Sequence, residues 1–142
     1  MRYFLVSLLL LLPIMTLAAE DYEMGSYWTV TSVDTKPGHF DDYMADLKRV
    51  WRKSLEMLKT DGKVKSYRMF SNVNARVDEP NLWLLVEWTS AAAMMDAPQK
   101  YWDEHTKKLF GSDDAGDQAN IKRGELRTIM SNVLLREMSF TD

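Results

Sequence analysis

Three side chains in this chain of 142 residues could move protons: His105, Glu87 and Tyr67. His105 follows Tyr101 and precedes Leu109 at spacings of four, the inward stripe of a helix, with Trp102 beside it. A neutral imidazole there could act as a general base or ligate iron. The competing role is a partly buried histidine at a helix–sheet seam, bonded to a backbone carbonyl. Glu87 interrupts an apolar run, so it must be paired, neutral or near a strand end. Arg68 and Arg136 on flanking strands are its expected partners, and the functional alternative is a pocket acid with a raised pKa. Tyr67 and Tyr43 could supply hydroxyls to a bound molecule. Trp88 and Trp102, with Trp51 and Trp83, could form aromatic walls, though a core role competes for each. His39 opens a helix, where the dipole disfavours a protonated ring; it stands either at a ligand mouth or simply in solvent. The two histidines fall on different elements, and with no cysteine and no HxxxH or HExxH pattern a metal is not expected. No nucleophile elbow, phosphate loop or dinucleotide fingerprint is present.

The element that must position these groups is residues 81–88, a nearly unbroken apolar run that begins after Pro80. It is too short for a helix and reads as a central strand covered on both faces. One chain of this size has helix for only one face, so a second copy is expected over the other. Residues 26–33 are aromatic and β-branched and form the first strand, with residues 20–25 a loose polar leader. Residues 39–60 carry Phe40, Tyr43, Met44, Leu47, Val50, Trp51, Leu55 and Leu58 as one helical stripe, ended by Gly62. Residues 64–73 are the second strand. Residues 90–110 are helical but interrupted, with a short piece at 91–95 and a restart near Asp96 and Pro98. The pattern breaks from Gly111 to Gly116, residues 117–123 are at best a short helix, and 130–138 form the fourth strand. The order βαββαβ predicts a ferredoxin-like four-stranded antiparallel sheet with both helices on one face.

Bulk properties narrow the function. Residues 1–19 have a basic start, an apolar core and small residues before the junction, the layout of a cleaved signal peptide. The chain is therefore expected to be exported to the periplasm or beyond, with residues 20–142 as one domain and no lasting membrane insertion. Without cysteines its stability rests on packing rather than disulfides. A net charge of −3 with interspersed signs argues against nucleic acid as a partner.

Val30-Thr-Ser-Val-Asp-Thr-Lys-Pro-Gly-His-Phe-Asp-Asp-Tyr43, Leu84-Leu-Val-Glu-Trp-Thr-Ser90 and the placement of His105 together resemble the dimeric α+β barrel superfamily, which includes antibiotic-biosynthesis monooxygenases and haem-degrading relatives. The resemblance spans nearly all of the chain after the leader. It implies a homodimer that pairs sheet to sheet as a dimeric α+β barrel, with a small-molecule pocket between sheet and helices. It also implies monooxygenase-like or proton-transfer chemistry on a hydrophobic or aromatic molecule without an organic cofactor. Haem enters only through His105, which sits near the axial histidine of haem-degrading members. Those members keep an asparagine on the first strand, where this chain has Thr29 and Thr31. A non-catalytic binding dimer is the third reading.

Overall fold

The computed structural model describes residues 21–141; the expected signal peptide at 1–19 lies outside them. In chain order the elements are β1 (Tyr22–Thr35), α1 (Phe40–Asp46), a π-helical turn (Leu47–Trp51), α2 (Arg52–Thr60), β2 (Val64–Ser71), β3 (Leu82–Trp88), α3 (Ala91–Met95), α4 (Gln99–Phe110), α5 (Asp113–Leu126) and β4 (Arg127–Phe140). The strands form one antiparallel sheet in the order β2-β3-β1-β4.

β3 lies inside the sheet, as its composition predicts, but its burial alternates. Leu82, Leu84, Val86 and Trp88 are buried against the helices, while Trp83, Leu85 and Glu87 are half-buried on the opposite face. The first set joins two packed clusters. Val33, Tyr43 and Leu47 gather around Leu82 and Leu84, and Leu55, Leu58 and Val64 gather around Val86 and Trp88. Burying a Leu or Val side chain completely stabilises by about 1.5–3 kcal/mol, so these two layers fix α1 and α2 on the sheet.

The sheet is not closed into a barrel, which corrects the expected dimeric α+β barrel. β2 and β4 each pair on one side only and leave two free edges. Four strands are too few to curl a sheet onto itself around a packed interior. The helices pack on the face of Leu82, Leu84 and Val86, and the other face carries Trp28, Val30, Phe70, Trp83, Leu85, Val133 and Leu135 in register.

Three local differences from the sequence expectation have clear causes. The helix over 40–60 contains a π turn because its buried positions, Tyr43, Leu47, Val50, Leu55 and Leu58, include one step of five residues. The wider turn keeps Leu55 on the buried side where a regular helix would rotate it away. α5 spans fourteen residues instead of a short piece at 117–123. Its start is a regular cap: Ser112 Oγ accepts from the Ala115 N–H at 3.1 Å, with Asp113 and Asp114 in the first turn. The polar leader is not loose, since β1 begins at Tyr22, which pairs with Phe140 of the longer β4.

Candidate ligand-binding groove

α1, the π turn and α2 leave the helix-facing side of the edge strand β2 incompletely covered, with Met69 exposed there. The gap is a groove of about 440 Å³, within the range of small-molecule sites. Met44, Leu47 and Trp51 line it from the helix, and Tyr67 and Met69 line it from β2. Lys48 and Arg52 line it from the helix. Trp51 meets Tyr67 edge to face, with ring centroids 5.3 Å apart, a favoured aromatic geometry. The π turn carries Leu47, Lys48 and Trp51 to this side together. The groove is apolar along its length and polar at one end.

That end is organised by Tyr67. Its hydroxyl donates to Glu56 Oε1 at 2.7 Å. The bond to Glu56 raises the Tyr67 pKa, burial adds to it, and the Arg52 guanidinium pulls in the opposite direction. The phenol therefore keeps its proton and serves as a hydrogen-bond donor rather than a base. Lys59 stands over the Tyr67 ring, 5.7 Å from its centroid. Glu56 was not singled out from the sequence, because an exposed glutamate on a helix reads as solvated; only the docking of α2 on β2 brings it to Tyr67.

The other candidates are dispersed. His105 is buried in the seam between α2 and α4, where its Nε2 lies 2.8 Å from Ser54 Oγ. Tyr101 stacks on its ring and Trp102 meets it edge-on, with centroids 6.3 and 6.2 Å away. Burial lowers the His105 pKa, the Asp61 carboxylate opposes that, and Lys108 reinforces it. The partner is a hydroxyl, not the expected backbone carbonyl. Nε2 is already held by Ser54 and the residue is only 8% exposed within the seam, so this histidine does not fit a haem iron. Trp102 packs with Tyr101 against the Val86 and Trp88 cluster. Trp88 is itself core, its indole N–H donating to Thr29 Oγ1.

Glu87 faces the side of the sheet away from the helices. Its Oε2 accepts from Ser66 Oγ at 2.6 Å and its Oε1 lies 3.8 Å from Lys65 Nζ. The bonds from Ser66 and Ser26 hold its carboxyl below the usual range despite burial, helped by Lys65 and Arg68. This is the reverse of a pocket acid with a raised pKa. Arg68 lies over Trp28, 5.7 Å from the ring, on the same face. Arg136 does not reach Glu87, because β1 stands between β3 and β4 and Arg136 points to the helix side, over Tyr27 at 4.9 Å. Tyr43 is almost wholly buried beneath α1, which raises its pKa against the influence of Arg127. His39 sits at the start of α1 with Nδ1 3.2 Å from Asp42 Oδ2. His105, Glu87 and Tyr67 thus occupy three separate places: a helix seam, the open sheet face and the groove. Among the described residues no group of three or more His, Cys, Asp or Glu side chains converges to hold a metal ion.

No protein-family model and no curated protein sequence matches the chain. Among solved structures it is similar to a dimeric ferredoxin-like protein from an uncultured marine organism, with 14% identity and a TM-score of 0.52, covering 84% of this chain and 91% of that one. The fold is ferredoxin-like. Weaker likenesses include a protein of Shewanella oneidensis, with 19% identity, a TM-score of 0.46 and 84% and 97% of the two chains covered. An antibiotic biosynthesis monooxygenase matches at 12% identity and a TM-score of 0.42, covering 78% of this chain and 95% of that one. No helix among the described residues is long and apolar enough to cross a membrane.

Proposed function

We propose that this protein binds a small hydrophobic or aromatic organic molecule in the groove between the long helix and β2. The observation that carries the reading is the Trp51–Tyr67 pair at 5.3 Å, which gives an apolar slot an edge-to-face aromatic wall and one fixed hydroxyl. A flat molecule entering between Met44, Trp51 and Met69 would bury its rings and meet the Tyr67 hydroxyl oxygen and the Arg52 donors at the polar end. If chemistry follows binding, it is proton transfer or a monooxygenase-like step on the molecule itself, with the Arg52 guanidinium facing developing negative charge and the Tyr67 hydroxyl, its own proton held by Glu56, accepting a hydrogen bond from the molecule. His105 and Glu87 stand apart from that groove and act elsewhere in the molecule.

The same reading includes export, directed by the apolar leader at 1–19, and a homodimer. The uncovered sheet face supports the dimer: Phe70 and Leu135 are each 50% exposed and Val133 42%, large apolar side chains that a second copy would cover. Sedimentation of the protein at micromolar concentration tests it, and a monomer refutes it.

The binding reading is tested by calorimetric titration with a panel of phenols, quinones and naphthols. At least one should bind, and Trp51→Ala and Tyr67→Ala should each weaken it about tenfold or more, the loss of a stacked ring. Binding that survives both substitutions, or no binding by any member of the panel, overturns the assignment of this groove.

A further inference from the structure

We infer that a second site, in the corner between α1, α5 and the start of β4, binds a small organic carboxylate. Two buried side-chain nitrogens there, Arg123 Nη2 and Arg127 Nε, have no hydrogen-bond partner among the described residues. They are the only such buried side-chain atoms among those residues, and both belong to arginines that act electrostatically on Tyr43. Buried donors are ordinarily satisfied, and a guanidinium N–H is the donor that carboxylates fit best.

The groups around the corner account for the gap. Asp46 accepts from Arg123 Nε at 2.6 Å and from Arg49 Nη2 at 2.6 Å, one oxygen to each. Both of its oxygens already hold a strong donor, and neither reaches Arg123 Nη2 within bonding geometry. Arg127 pairs with no carboxylate among the described residues and lies over the Tyr43 ring, 5.8 Å from its centroid. A cleft of about 740 Å³ between α1 and α5 leads to Arg123.

Charge balance selects a monoanion. The cleft is lined by Asp42, Asp46 and Glu125 on one side of the balance and by Arg49, Lys122 and Arg123 on the other. Arg127, next to Leu126 of the lining, adds one positive charge with no counterpart. A carboxylate neutralises that charge and has two acceptor oxygens to offer the orphaned N–H groups. A dianionic phosphate would instead overshoot and face three acids. Phe110 and Leu126 line the same cleft and suit the hydrocarbon part of an organic acid. The site is separate from the Trp51–Tyr67 groove and stands or falls without it.

The test is thermal unfolding of the protein at fixed pH and ionic strength, with sodium acetate replacing sodium chloride, and with sodium phosphate as a second arm. Acetate should raise the Tm by about 4 °C at ten times its Kd, the stabilisation expected of a ligand that binds only the native state. Arg127→Met should lose this rise while unfolding no earlier than wild type in chloride, because it removes an uncompensated buried charge. Should that variant not fold, Arg127→Lys, which keeps the charge and lacks Nε, takes its place and should also lose the rise. A Tm that is the same in acetate and chloride overturns the site, as does a rise that persists in either Arg127 variant. A larger rise in phosphate than in acetate overturns the choice of a carboxylate.

Discussion

Ser54 Oγ and His105 Nε2 lie 2.8 Å apart and tie α2 to α4. The bond converts the most chemically suggestive residue of the sequence into a fastener between two helices. Tyr101 reinforces the seam from the other side, donating its hydroxyl to Asp61 Oδ2 at 2.6 Å at the end of α2.

His105 should make stability depend on pH in a definable way. Burial lowers its folded pKa, so below the ordinary histidine value the unfolded chain binds a proton that the native chain resists. Stability is then present above about pH 6.5 and is lost as pH falls toward the folded pKa. Between about pH 7.5 and 5.5 the Tm of wild type should decline more steeply than that of His105→Gln, which presents an amide to Ser54 and does not titrate. Equal slopes in the two proteins would remove His105 from this role.

Two glycines of α5 should respond to alanine with opposite signs. A Cβ at Gly116 would stand 2.8 Å from Thr106 Cγ2 and 3.4 Å from Phe110 Cδ2, where α5 packs on α4. Gly116→Ala should therefore destabilise by about 1–2 kcal/mol in denaturant unfolding, overpacking outweighing the helix preference of alanine. Gly124 has nothing within 4 Å of that position, and Gly124→Ala should stabilise by about 0.5–1 kcal/mol. Two changes of the same sign would mean that α5 does not pack this way.

Asp46 joins α1 to α5 through Arg123, and the two side chains are only 11% and 15% exposed. Asp46→Ala leaves a buried guanidinium without its anion and should cost about 3 kcal/mol in urea unfolding. Arg49, the other partner of Asp46, is 67% exposed, and Arg49→Ala should change stability by less than about 1 kcal/mol. Similar losses in both variants would contradict the buried character of the Asp46–Arg123 pair.

Ser66 is the first cause of the low Glu87 pKa. Removing its hydroxyl in Ser66→Ala should move the Glu87 carboxyl upward toward the ordinary glutamate value, followed by the side-chain carboxyl carbon resonance through an acid titration. The contribution of Glu87 to stability is present above the unfolded pKa and is lost as pH falls through the folded one, so this loss should set in at higher pH in the variant. An unchanged titration would assign the shift to Ser26, with Lys65 and Arg68, instead.

Much of the fold was readable because its signals are local. The apolar stripe of residues 40–60, the run at 81–88 and the turn residues between them follow from backbone periodicity, which neighbouring residues fix among themselves. The start of α5 at Ser112-Asp113-Asp114 was read as part of a break from Gly111 to Gly116, and Gly116, Gly124 and the lack of an apolar stripe hid the length of that helix. The pairing of Tyr22 with Phe140 was not readable, since a polar leader becomes a strand only when a distant strand offers its edge.

The sequence by itself determined the order of elements, the inner position of β3 and the burial of Tyr43 and Leu47, because each depends on residues a few positions apart. Only the tertiary structure decided which polar groups meet. It sent Glu87 to the face away from the helices, placed β1 between Arg136 and Glu87, used His105 to hold a helix seam and brought Glu56 to Tyr67. Those encounters depend on strand order and on how helices dock, and both are settled by the packing of the whole chain rather than by the spacing of residues along it.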